Sequence, residues 1–160
     1  MMSFTRQVSR LLDDEHRSSI ALLDRVGHAL AAGDNAALQA LAAPLLRQLE
    51  HEIGHHFGFE ETELFTRLTD AGDGGMAELL AEEHQTLRAV AAELQPLAAQ
   101  LAAGTLAPAQ RADLQLLAGE LVERQVAHIQ KETMALLPML DDLLDDETDR
   151  QLAFTYAAGA

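Results

Sequence analysis

The chain has no Cys, so any metal chemistry must come from its His, Asp and Glu side chains. They crowd most densely from His51 to Glu61, where His51, His55 and His56 stand among Glu52, Glu60 and Glu61. His56 and Glu60 are four residues apart, so on a helix both project from one face, about one turn apart. An imidazole and a carboxylate placed this way suit a shared metal ion. His128 and Glu132 repeat the spacing, and His16 and His84 stand as single candidates. An HxxxE pair is common by chance, so these six residues matter only if the fold brings them together.

The fold class follows from composition. Leu and Ala dominate, β-branched and aromatic residues are few, and helix is favoured nearly throughout. At 160 residues the chain suits one domain, 1–160, with a bundle over about 5–138 and an acidic extension at 139–160. The apolar stripes predict a first helix from Thr5 to Ala32, closed by Gly33, with Asp34 capping the next. A second helix spans Asn35 to Leu68, with Pro44 expected to kink or break it. Past the Gly72-Asp73-Gly74-Gly75 breaker, a third runs from Met76 to Ala103, bent at Pro96. Pro108 starts a fourth that Pro138 kinks or ends, and a last short helix lies near Thr148 to Ala157. Long amphipathic helices with short loops give an all-α, up-down-up-down four-helix bundle with a short C-terminal extra helix.

Each stripe is interrupted once: at His16, at His56 and Glu60, at His84, and at His128 and Glu132. Residues level with one another in an antiparallel hairpin are equidistant from its turn. The midpoints between successive interruptions fall near residues 37, 71 and 107, at or close to the three expected turns. With about 1.5 Å of rise per residue, the six side chains converge on one layer. Buried unpaired carboxylates are expensive, and no Arg or Lys shares the stripes at this level. Two cations would neutralise the carboxylates and use the imidazoles.

Segments His56-Phe57-Gly58-Phe59-Glu60-Glu61-Thr62-Glu63-Leu64-Phe65 and Glu82-Glu83-His84, within the H…HxxxE…H…HxxxE pattern, resemble the hemerythrin-like, HHE cation-binding family over roughly residues 8–138. That resemblance implies a four-helix bundle around a non-haem, oxo- or hydroxo-bridged di-iron centre. His16, His56, His84 and His128 would be terminal iron ligands, and Glu60 and Glu132 bridges. Oxygen-carrying hemerythrin has HxxxH on its third helix, where this chain has Leu80 and Arg88 around His84. It has HxxxxD on its last, where this chain has His128 and Glu132. The four-His, two-Glu set is similar to the branch with proteins implicated in repair of damaged iron centres, although the Cys-containing segment typical of those is missing. Eight donor atoms and a bridging oxygen leave about two of twelve positions on two six-coordinate ions open. Open positions favour reaction with O2, NO, peroxide or azide over reversible oxygen storage.

The net charge of −15 argues against nucleic acid. With no visible secretory signal or membrane span, a cytoplasmic protein is expected. The function read is thus a metal-binding protein for small oxidants in sensing, detoxification or stress response, with enzyme and sensor both open. One alternative is an iron donor or repair protein for iron–sulfur centres. Another is a Zn- or Mn-stabilised interaction module with no redox chemistry. His51 and His55 are read as a polar flank and His28 as a helix-end residue favouring the dipole. Glu52 is read equally as a partner of His56 or as solvated. Phe57, Phe59 and Phe65 are read as packing around the site. Tyr156 is within reach of it only if the last helix folds over the bundle.

Overall fold

The computed structural model describes residues 3–159; residues 1, 2 and 160 of the expected domain lie outside the described residues. Those described form helices and turns, with no strand among them. Helix α1 is Gln7–Ala32. Gly33, at φ 63°, closes it in the left-handed region, and the Asp34 N–H returns to the Ala29 carbonyl. Asp34 Oδ1 then accepts from the Ala37 N–H at 3.0 Å and caps the next helix, as expected.

Helix α2 is one continuous run made of Asn35–His51, Glu52–His56, Phe57–Phe59, Glu60–Leu64 and Phe65–Asp70. Its two five-residue insertions are π turns, and the residues at each junction keep right-handed helical torsions. Pro44 lies inside this helix and does not break it. Helix α3, Gly74–Ala103, likewise continues through Pro96, which faces solvent so that water can take up the freed carbonyl. A short 3₁₀ turn, Pro108–Gln110, leads into α4, which comprises Arg111–Lys131, a third π turn at Glu132–Leu136, and Leu137–Leu143. Pro138 neither ends nor interrupts α4. It has no N–H to give, and the ladder lengthens just before it, with the Leu137 N–H reaching back to Glu132. Helix α5 is Asp146–Gly159, two residues longer at each end than expected.

α1 packs on α2, α2 on α3, α3 on α4, and α4 returns to α1, while α5 lies along α1. The core falls into two apolar clusters. Leu23, Leu49, Leu94 and Leu121 belong to one, and Leu12, Leu64, Leu80, Leu136 and Leu140 to the other. Each fully buried Leu contributes about 1.5–3 kcal/mol. Along every bundle helix the candidate donors sit between members of the two clusters, so packing above and below fixes their height. No helix among the described residues is long and apolar enough to cross a membrane.

Candidate metal centre

All six sequence-selected residues meet in one layer, each at most 1% exposed. His16 and Glu132 approach to 3.2 Å, and His56 and Glu60 also to 3.2 Å. On the other side His84 lies 3.3 Å from Glu60, and His128 lies 3.1 Å from Glu132. The two carboxylates are split between the sides. Glu60 turns Oε2 to His56 and Oε1 to His84; Glu132 turns Oε1 to His16 and Oε2 to His128. Two donor groups result: His16, His56, Glu60 and Glu132, and Glu60, His84, His128 and Glu132. Neighbouring donors bonded at about 2.1 Å to one cation with angles near 90° lie about 3 Å apart, and these spacings match that edge.

The imidazoles are aimed from behind. His56 donates Nδ1–H to Glu15 at 2.9 Å, His84 to Glu61 at 2.8 Å and His128 to Glu83 at 2.7 Å. His16 Nδ1 meets the Thr133 hydroxyl at 2.9 Å. A carboxylate at Nδ1 demands a donor there, which leaves Nε2 as the lone pair that faces inward. The supports run round the bundle: α1 holds the imidazole of α2, α2 that of α3, α3 that of α4, and α4 that of α1. Behind them Arg88 grips both oxygens of Glu61 at 2.8 Å, and Lys131 pairs with Glu83. Phe57 stacks face to face on His84 at 3.7 Å, and Phe65 lies 5.3 Å from the same ring, so both wall the site as expected.

None of the four oxygens of Glu60 and Glu132 has a hydrogen-bond partner among the described residues, and neither has Nε2 of His16 or His56. Burying such groups uncompensated costs several kcal/mol per carboxylate. With protons as the only cations, the imidazoles must answer that charge. Burial pushes the His84 pKa down, but Glu132 and Glu60 carry it up to about 10. His56 is likewise raised against burial by Glu60, Glu52 and Glu15, and His128 by Glu132. Burial works to raise Glu132, yet His128, His16 and His84 hold it well below the usual carboxylate range. The donor set thus fits metal cations: two buried carboxylates, four aimed imidazoles and orphaned oxygens facing one space.

Sequence reasoning missed the four supports. Each is the chain neighbour of a donor: Glu15 beside His16, Glu61 beside Glu60, Glu83 beside His84 and Thr133 beside Glu132. The echo of Asp14-Glu15-His16 in Glu82-Glu83-His84 was the available signal. Glu52 is buried, not solvated, but stands 3.8 Å from His56 Nδ1, farther than Glu15. Burial raises its carboxyl. His51 lies outside the layer and pairs with Glu15 at 2.7 Å, and His55 stacks on Tyr156 at 4.4 Å. His28 sits exposed near the end of α1 on the Asp24 carbonyl.

The family model described as Hemerythrin HHE cation binding domain matches residues 7–140. Comparison with curated proteins and with solved structures gives no match.

Proposed function

Because the chain belongs to the hemerythrin HHE cation-binding domain family, we propose that this metal-binding domain holds two iron ions and binds or transforms small oxidants: O2, NO or peroxide. His16 and His56 would hold one ion and His84 and His128 the other, with Glu60 and Glu132 serving both. The observation that carries this reading is the split of both carboxylates, one oxygen toward each imidazole pair. Short turns and the level placement of the donors support an up-down-up-down order for the single domain.

The iron pair would supply redox equivalents and open coordination positions for a small ligand. The residues do the rest. Four imidazoles held at Nδ1 keep their lone pairs aimed, which limits rearrangement when the charge of the centre changes. Phe57 and Phe65 keep water from the His84 side. Complete burial of the donors favours retention of iron through many cycles over its donation to a partner. Two terminal His on each ion leave more room than storage of oxygen requires, so reaction is favoured over reversible carriage.

The test is repeated exposure of the anaerobically reduced, iron-loaded protein to O2, NO or peroxide. Consumption of the oxidant with the iron retained supports the proposal. Clean, reversible O2 binding over many cycles without turnover contradicts the reactive reading, and iron that leaves for an apo iron–sulfur protein contradicts retention.

A further inference from the structure

The family match ends at residue 140, but the chain beyond it returns to the metal layer. Leu152, Ala153 and Tyr156 of α5 are buried. The Tyr156 hydroxyl donates to Glu15 Oε2, the same oxygen that accepts Nδ1–H of His56. It lies 3.4 Å from that nitrogen, on the outward side of the ring whose Nε2 faces the layer. Tyr156 therefore does not reach an open position on the metals. Its own ring is fixed by His55, stacked at 4.4 Å and 22°, and by Phe59 at 4.7 Å. Gly159 seats α5 against the same histidine, where a Cβ would come within 2.9 Å of the His55 ring.

Among the described residues, the other three imidazoles are held by the bundle alone. His84 relies on Glu61 and Arg88, His128 on Glu83 and Lys131, and His16 on Thr133. Among the described residues, only the support of His56 is completed by a residue outside the family-matched segment. The two halves of the site thus differ: one is set by the bundle, and the other depends on the docking of α5.

We propose that Tyr156 is a positioning residue for the His16/His56 half of the site, so that the C-terminal helix sets the cation affinity of that half alone. This rests on the reading of the layer as a two-cation site. The hydroxyl competes with Nδ1–H for one carboxylate oxygen and fixes where that oxygen lies. Its removal takes one donor from Glu15 Oε2 while His51 still holds Oε1 at 2.7 Å, so the carboxylate can pivot about that oxygen, and the ring it aims shifts with it. Loss of a group that directly orients a ligating His costs about 10–100-fold in metal affinity. Tyr156 acts one hydrogen bond farther out, so about tenfold is expected.

Anaerobic calorimetric titration with Fe(II) alone tests this on the full chain. Tyr156→Phe keeps the ring and its stacking, and Glu15→Gln is the second variant, which keeps the size of the side chain. Phe154→Ser changes an exposed residue of the same helix and serves as the control. Tyr156→Phe should weaken one of two binding events about tenfold and leave the other unchanged, with Glu15→Gln weakening the same event further and Phe154→Ser neither. Equal weakening of both events would reduce α5 to a general stabiliser and overturn the inference. Two unchanged events would also overturn it while leaving the two-cation reading in place. A wild-type chain that takes up no Fe(II) would remove both.

Discussion

At the scale of the residue, His16, His56, Glu60, His84, His128 and Glu132 share one buried layer, and Glu15, Glu61, Glu83 and Thr133 hold the imidazoles from behind. Spacing of four marks His56 with Glu60 and His128 with Glu132, and counting from the turns brings His16 and His84 level with them. Nothing in an i,i+4 pattern tells which neighbour reaches across to the next helix. Glu15, Glu61 and Glu83 carry no such mark, since partnership across helices has no local spacing. The same residues give a pH prediction. His84 has its pKa raised from 6.5 to about 10 by Glu132 and Glu60. In chelator-treated protein the stability from this pairing is fully present below pH 6.5 and is lost as pH rises through about 10. A cation needs the lone pair that this proton occupies, so loading at pH 7 should expel protons and tighten as pH rises. Metal titration in buffers of different ionisation enthalpy measures the release. A binding heat independent of the buffer would contradict it.

At the scale of the element, caps and turns were legible because their chemistry is local. Gly33, Asp34 and Pro108 mark helix ends in sequence and in structure alike. The prolines do not break the helices, because a helix packed along its length tolerates a missing N–H, at Pro96 where the freed carbonyl is open to water and at Pro138 where the turn before it lengthens. The π turns left no readable trace, because an i,i+4 stripe is compatible with a local i+5 ladder. All three adjoin donors, with His56 closing one and Glu60 and Glu132 opening the others. The acidic stretch after Leu140 also carries meaning that composition hid. Asp141 accepts from the Thr5 and Arg6 N–H groups, and Asp149 from those of Gln7 and Val8 at 2.9 Å. These carboxylates cap the start of α1 from a distant part of the chain. Asp149→Ala should therefore cost about 1–2 kcal/mol and lower Tm by a few degrees in a thermal melt. An unchanged Tm would mean that water serves these donors equally well.

At the scale of the whole molecule, the helical bundle followed from stripes and short loops. The docking of α5 did not, because a short helix on the outside of a bundle has no partner stripe written into its own sequence. Two apolar clusters hold a polar layer between them, and that layer is tolerable only with positive charge at its centre. The net charge of −15 adds nothing specific to this; what matters is that Glu60 and Glu132 are buried where Arg and Lys are not. The central claim is therefore that two metal ions, expected to be iron, complete the layer. The most direct test is metal content per chain together with the visible spectrum before and after azide, for the wild type, Glu60→Ala and His28→Ala, an exposed histidine away from the layer. The expected result is two irons and an azide-sensitive charge-transfer band in the wild type and His28→Ala, both lost in Glu60→Ala. One Zn and no band in the wild type, or two irons retained by Glu60→Ala, would contradict it.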